Sequence, residues 1–337
     1  MSDQNSSTAL LALNEVTKRF GQPFGPINRL LNKLGANHAP QFVYAVNEIS
    51  LQVASKEVVG LVGESGCGKS TLGRLAVGLL NPDSGKRIWR GKDFELMSPE
   101  ERKQIRLSVQ LIFQDPYASL NPRLQAIESV TEAPIYHGLV DAQNKNEFAR
   151  ALFAKVGLSP EMMERYPHQL SGGQRSRLGI ARALAVNPEF LVCDEAVAAL
   201  DVSIQAQILN LFMKLREEDN LTYLFISHDL GVVRHLTDRV VIMYLGRVVE
   251  EGTTEEIFSK ANHPYTQALL SEMPVIRLER KTYHPVKGEI PSPMHPPSGC
   301  HFHPRCPHAF KRCSEEVPAL TEIAHGHRAA CHLNDTL

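Results

Sequence analysis

Residues 63–70, Gly63-Glu64-Ser65-Gly66-Cys67-Gly68-Lys69-Ser70, constrain the fold of this chain more than any other stretch, because of what flanks them. The apolar run Val58-Val59-Gly60-Leu61-Val62 reads as a buried strand, and Thr71 to Leu80 reads as a helix. A strand and a helix joined by Gly-x-x-x-x-Gly-Lys-Ser form a P-loop, which cradles the phosphates of a nucleoside triphosphate. Glycines let the backbone approach the phosphates and aim successive N–H groups at them, and the helix N-terminus adds positive potential. Lys69 is expected at the β- and γ-phosphates and the Ser70 hydroxyl on Mg²⁺. Gly63, Glu64, Ser65, Gly66, Cys67, Gly68 and Thr71 are expected around the phosphates. The alternative, a glycine-rich turn without a ligand, is a rare accident for a pattern of this length at ordinary composition.

Strands and helices continue to alternate farther along. Phe190-Leu191-Val192-Cys193 reads as a strand, Ile204 to Arg216 as a helix, and Leu221 to Ile226 as a strand before another helix. Such alternation predicts an α/β core around a largely parallel sheet. Short apolar runs between 9 and 62 predict further strands, interrupted over 21–41 by a Gly/Pro/Asn-rich stretch. Within it, Ile27 to Leu34 suits one or two turns of surface helix, with an interfacial membrane contact as the alternative. Phe148, Leu152, Phe153 and Val156 recur at helix-face spacing, so a helical subdomain is expected at about 115–175. Prolines crowd between 284 and 307, and nine of the fourteen histidines lie beyond residue 260. That shift sets off an extension at 261–337 from a nucleotide-binding domain at 1–260.

The 337 residues carry a formal net charge of −1, so no global basic field marks a nucleic-acid partner. The first residues lack the pattern of a signal peptide, and no run of apolar residues is long enough to cross a bilayer. The chain is expected to stay in the compartment where it is made.

The strand at Phe190 ends in two adjacent carboxylates, Asp194 and Glu195. Beside a P-loop, Asp194 is expected to hold Mg²⁺ and Glu195 to accept a proton from the attacking water. Upstream, Leu170-Ser171-Gly172-Gly173-Gln174-Arg175 opens a helix containing Leu178, Ile180, Ala181, Leu184 and Ala185. Ser171 can cap that helix, and the two glycines leave its first N–H groups open to an anion.

At these residues the chain resembles a known family. Leu170 to Gln174 is similar to the signature motif of ABC-type ATPases, as is its spacing to Asp194-Glu195. The resemblance extends residue by residue. Gln114, in Leu111-Ile112-Phe113-Gln114-Asp115-Pro116, resembles the Q-loop glutamine that touches Mg²⁺ and couples the site to a transmembrane partner. Ala199-Leu200-Asp201 resembles the D-loop at a dimer interface, and His228 resembles the switch histidine that senses the γ-phosphate. Phe20 is the candidate to stack on adenine, with Phe24 the alternative. Ala198 departs from the serine common at its position, which puts one D-loop hydrogen bond in doubt, and Ser176 replaces a common glutamine. Glu195 and His228 are both present, so active hydrolysis is implied. The family mechanism sandwiches two ATP molecules between two such domains, each domain's Ser171, Gly172, Gly173 and Gln174 completing the other's site.

Other stretches are similar to one branch, the ATP-binding subunits of oligopeptide and dipeptide importers: Phe113 to Arg123, Val240 to Gly246, Asn262 to Thr266, and the terminal cysteine segment. This resemblance runs from about residue 10 to the end. It implies a paralogous ABC ATPase subunit and two transmembrane permease subunits as partners, with a periplasmic substrate-binding protein reached indirectly and no nucleic acid. It also implies a peripheral position on the cytoplasmic face of a bacterial inner membrane. Related systems carry nickel, glutathione or sugars, which stay open as cargo. An ABC ATPase of DNA repair would carry a coiled coil or zinc module within the domain, and a P-loop kinase would not need Ser171 to Gln174.

Cys300, Cys306, Cys313 and Cys331 cluster near the C-terminus, apart from Cys67 and Cys193. In a chain without an export signal such a cluster favours metal over disulfides. Four thiolates suit tetrahedral Zn²⁺ or an iron-sulfur cluster, and His301, His303, His308 and His332 add mixed Cys/His ligation. The spacings lack Cys-x-x-Cys and are similar to those of importer subunits that carry a 4Fe-4S cluster, which the resemblance therefore implies here as a structural staple. Free thiols are the remaining alternative. Cys67 reads as a small residue tolerated beside the phosphates, where a bulky thiol reagent is expected to block ATP binding.

Overall fold

The computed structural model describes residues 9–21, 42–273 and 288–336. Phe24 and the segment from Ile27 to Leu34 lie outside the described residues.

In chain order the strands are β1 (Leu11–Phe20), β2 (Val43–Val53), β3 (Val58–Val62), β4 (Ser84–Trp89), β5 (Lys92–Asp93), β6 (Val109–Ile112), β7 (Phe190–Asp194), β8 (Thr222–Ile226), β9 (Arg239–Tyr244), β10 (Arg247–Thr253), β11 (Thr321–Ala324) and β12 (His327–Ala329). They form an antiparallel sheet in the order β2-β1-β4-β5 and a mixed sheet in the order β11-β12-β10-β9-β3-β8-β7-β6. From β9 to β6 neighbouring strands of the mixed sheet run parallel. The expected α/β core is therefore present, with an antiparallel margin at β10.

Strict alternation explains why the central strands are apolar throughout. Leu191 and Cys193 of β7, with Tyr223 and Phe225 of β8, face the helices Gly172–Leu184 and Val202–Asp219. Phe190, Val192, Leu224 and Ile226 face the opposite side, against Leu72, Leu75 and Ala76 of the helix Lys69–Val77. Covering both faces of a parallel sheet excludes water from every side chain of these strands. The helix after the P-loop stops at Val77, short of the Leu80 expected from sequence. Gly78 takes φ 78° and its N–H bonds the carbonyls of Arg74 and Leu75, a left-handed cap that a side chain would disfavour.

The helical insertion consists mainly of Ala126–Tyr136 and Lys145–Lys155, which pack beside Gly172–Leu184. Leu152, Phe153 and Val156 are buried there, and Phe148 packs at its margin. Phe153 is fully buried, so Phe153→Ala would cost about 3–5 kcal/mol.

The C-terminal extension shares this framework. Strand β12 pairs with β10, placing Glu250 opposite Ala329 and Glu251 opposite Arg328, so the hairpin β11–β12 continues the main sheet. A third core joins Val62, Tyr244 and Ile257 to Tyr265 and Phe302 of the extension. Glu250, fully buried at the junction, accepts the N–H groups of Asn262 (2.7 Å) and His263 (2.9 Å), with His327 Nε2 at 2.7 Å. These partners satisfy a carboxylate that could not otherwise remain in the interior.

Candidate functional site

Four parallel neighbours, β3, β8, β7 and β6, deliver their C-terminal ends to one edge of the sheet, where open α/β sheets bind ligands. The loop after each strand supplies one functional element. After β3 comes the P-loop, which leads into the helix Lys69–Val77. Gly68, at φ 107°, passes so close to β2 that a Cβ there would sit 1.8 Å from the Ala45 carbonyl oxygen, which accounts for glycine at that position. Lys69 is buried, and its Nζ donates to the carbonyls of Gly63 (2.7 Å) and Glu64 (3.0 Å), inside the curl of the loop.

After β7, Asp194 and Glu195 diverge. Asp194 is buried, and its Oδ1 accepts from the Ser70 hydroxyl at 2.8 Å, which joins the two expected Mg²⁺ ligands directly. Burial pushes the Asp194 carboxyl up, and the Ser70 hydrogen bond opposes that shift. Glu195 adopts φ 48°, an unusual conformation for a side chain of its size, and its N–H bonds the Ile226 carbonyl at 3.0 Å. Its Oε2 accepts from Gln114 Nε2 at 2.8 Å and lies 3.4 Å from His228 Nδ1. Gln114, Glu195 and His228 thus meet although they lie on three different loops.

Local turn chemistry fixes the two outer members. Asp115 caps the short helix Pro116–Ser119 by accepting from Tyr117 N (2.8 Å) and Ala118 N (3.1 Å), which presents Gln114 just before it. Asp229 caps Leu230–Leu236 through Gly231 N at 2.8 Å, while Ser227 Oγ accepts from Asp229 N at 3.0 Å, so His228 stands on a doubly tied turn.

Ser171 caps Gly172–Leu184 as expected: its Oγ accepts from Gln174 N, and Gln174 Oε1 accepts from Ser171 N at 2.9 Å. Gly173 has a packing reason as well, since a Cβ there would lie 2.7 Å from Ile204 Cγ2. Arg175 donates to the Pro167 carbonyl at 2.9 Å and its guanidinium lies 5.1 Å from the Tyr117 ring, so this helix touches the Gln114 loop. Ser171, Gly172 and Asp201 are exposed. Phe20, at the end of β1, is 44% exposed, with Lys18 Nζ 5.9 Å from its ring.

The ABC transporter family model matches residues 46–198, and the model for the C-terminal region of oligopeptide/dipeptide transporters matches 249–313. The chain is 47% identical to the oligopeptide transport ATP-binding protein AppF of Bacillus subtilis, over 99% of both chains. This chain belongs to the ABC transporter family, in its oligopeptide/dipeptide branch. It is also 46% identical to OppF of Escherichia coli, covering 88% of this chain and 90% of that one. Its fold resembles the ATP-binding cassette MJ0796, solved as a dimer bound to ADP and Pi, with TM-score 0.61, 29% identity, and coverage of 72% of this chain and 98% of that one. The chain is an ABC ATPase, whose cofactors are ATP and Mg²⁺. Among the described residues no helix is long and apolar enough to cross a membrane.

In this ABC ATPase the four terminal cysteines line one small cavity, together with Phe302, His303 and His332. Backbone N–H groups two residues on, at Phe302, His308 and Leu333, favour the thiolate forms of Cys300, Cys306 and Cys331. Burial pushes the Cys300 thiol up to about 11 and raises Cys306 and Cys331 in the same direction. This arrangement does not by itself support the expected metal site. Among the described residues, no three His, Cys, Asp or Glu side chains are arranged to hold a metal ion. A single Zn²⁺ would draw its sulfurs to about 3.8 Å from one another, given a Zn–S bond of about 2.3 Å. Of the histidines expected as mixed ligands, His332 has both ring nitrogens engaged, whereas His301 and His303 bond through Nδ1. His301 Nδ1 meets the Leu245 carbonyl at 3.1 Å and His303 Nδ1 the Cys300 carbonyl at 2.9 Å. Both His332 nitrogens face oxygens of Asp335 and Glu316.

Cys67, within the P-loop, is only 3% exposed, and burial raises its thiol. A reagent reaches it only when the loop opens.

Arg305 and Tyr265 escaped sequence reading. Arg305 grips the Glu64 carboxylate with both terminal nitrogens, at 2.8 and 3.0 Å, and the Tyr265 hydroxyl accepts from Glu64 N at 2.9 Å. Glu64, expected among the phosphate contacts, therefore turns its side chain to the extension. No pattern in a single sequence announces an ion pair across 241 positions.

Proposed function

We propose that this chain is the ATP-hydrolysing subunit of an importer of di- or oligopeptides, peripheral on the cytoplasmic face of the inner membrane. It pairs there with a paralogous ABC ATPase beneath two transmembrane permease subunits, which a periplasmic binding protein feeds. The observation that carries the reading is the meeting of Gln114 and His228 on Glu195, within a chain similar over almost its whole length to AppF.

On this reading Lys69 exchanges its bonds to Gly63 and Glu64 for the β- and γ-phosphates. Mg²⁺, held by Ser70 and Asp194 with Gln114 beside them, supplies charge neutralisation at the phosphates. Glu195 accepts the proton of the attacking water, Gln114 orients that carboxylate, and His228 senses the γ-phosphate. Phe20 supplies the adenine platform. Ser171, Gly172, Gly173 and Gln174, with Asp201, face the partner subunit and complete its ATP site. Exposed Phe113 and Tyr117 beside Gln114, and Tyr136 and Leu139 on the insertion, offer the permeases apolar surface. ATP-driven closure of the pair then moves the permeases as rigid bodies.

For the extension, the reading is a 4Fe-4S cluster on Cys300, Cys306, Cys313 and Cys331. Four cysteines line one cavity, and backbone N–H groups two residues on favour the thiolate form of three of them, as suits cluster ligands. Its contribution is to staple the extension.

Capture of the tagged chain from detergent-solubilised membranes, with mass spectrometry of partners and iron and zinc assays, tests both parts. Two polytopic membrane proteins and a second ABC ATPase support the importer, and anaerobic brown colour with iron supports the cluster. Recovery of soluble or nucleic-acid proteins alone would sink transport, and colourless protein without iron would sink the cluster.

A further inference from the structure

The geometry points to Arg305 and Tyr265 as positioning residues of the ATP site, through which the C-terminal extension holds the P-loop in its phosphate-binding shape. Each polar group of Glu64 is committed. Its carboxylate accepts two bonds from Arg305, its N–H donates to Tyr265, and its carbonyl accepts from Lys69 Nζ. The peptide unit before Glu64 is tied to the extension and the one after it to Lys69, and the tie to the extension is the one that persists once the lysine turns to the phosphates. Because Glu64 opens the turn whose following N–H groups form the phosphate cradle, its orientation sets theirs.

The clamp is rigid on the side of the extension. Tyr265, Tyr244 and Phe302 are fully buried and mutually packed, with ring centroids 4.7 to 5.4 Å apart. The guanidinium donates to Tyr244 Oη at 3.3 Å and lies 5.8 and 5.9 Å from the Tyr244 and Phe302 rings. Only 6% of the Arg305 side chain is exposed, against 22% for Glu64. A planar fork anchored this way restricts rotation as well as distance, which a lysine at the same place would not do. A surface ion pair would contribute little, but this one is sheltered and anchors a loop with a catalytic lysine five residues on. The inference rests on the ATPase activity and does not depend on what the cysteines hold.

The test is steady-state ATP turnover by the full chain in the assembled transporter, measured against ATP concentration. Arg305→Met should raise KM for ATP by roughly ten- to a hundredfold while kcat at saturation stays within about threefold, because the cradle is deformed rather than the chemistry removed. Arg305→Lys should recover part of the loss. Tyr265→Phe removes one oxygen from a buried ring, keeps the packing, and should raise KM about three- to tenfold. It carries the test if Arg305→Met does not fold. Glu64→Gln combined with Arg305→Met should be no worse than Arg305→Met alone, since the stranded carboxylate is gone. Unchanged KM in Arg305→Met and Tyr265→Phe, lower kcat with KM intact, or additive effects of Glu64→Gln and Arg305→Met would each overturn the proposal. Absence of ATP turnover in the parent transporter would instead refute the ATPase assignment.

Discussion

At the sheet edge the polar side chains already hold one another, whereas the cysteines share a small cavity with histidine and apolar side chains. Ser70 bonds Asp194, Gln114 bonds Glu195, and Lys69 bonds two carbonyls of its own loop. Each of those pairs can open toward phosphate or Mg²⁺ and close again, so the site costs little to keep intact between turnovers. Around the cysteines, burial raises three thiols, and His301 and His303 bond backbone carbonyls through Nδ1. Among the described residues, no lysine or arginine is among the groups that shift these three thiols. Reversible pairing suits a catalytic centre, whereas the raised thiols show no such side-chain pairing among the described residues.

The largest expected effect lies at the paired site. Glu195→Gln should retain ATP binding while turnover falls at least a hundredfold, about 2.7 kcal/mol of barrier. Near-normal turnover would remove Glu195 as the base. At the other site, Cys306→Ser should abolish iron binding and lower the unfolding midpoint by at least about 5 °C without abolishing ATP binding. An unchanged midpoint after iron loss would leave the cysteines no stapling role, and the contrast between the two sites would collapse.

Smaller effects separate packing from ligand contact. Gly173→Ala drives a Cβ against Ile204 and should destabilise the fold by about 1–3 kcal/mol, with partial relief from Ile204→Ala. If calorimetry finds no destabilisation but turnover still falls, the glycine serves the partner's nucleotide alone. Cys67 should react with a bulky maleimide roughly a hundredfold more slowly in the native chain than in urea, because its thiol is buried and protonated. Equal rates would show that the P-loop opens freely.

Much of the nucleotide site is legible in the sequence because each of its parts is local. The strand Val58–Val62 is observed over the span its apolar run predicts, and Phe190–Asp194 extends its expected span by one residue. Ser171 caps its helix through a residue only three positions away. What the sequence conceals is long-range. Periodicity gives no hint that β12 joins β10, that Ile204 presses on Gly173, or that Arg305 reaches Glu64. The end of the helix at Gly78 is a different case, since apolar Leu79 and Leu80 prolong the periodic pattern while one residue's φ breaks it.

The clamp joins residues 241 positions apart, and that separation has a temporal meaning. At ordinary synthesis rates of about 5–20 residues per second, Glu64 leaves the ribosome roughly 12 to 50 s before Arg305. Throughout that interval a nascent chain carries a complete P-loop without the brace that shapes it. Tight nucleotide binding would thus come late in biogenesis, after the last segments of the polypeptide have folded back onto the first.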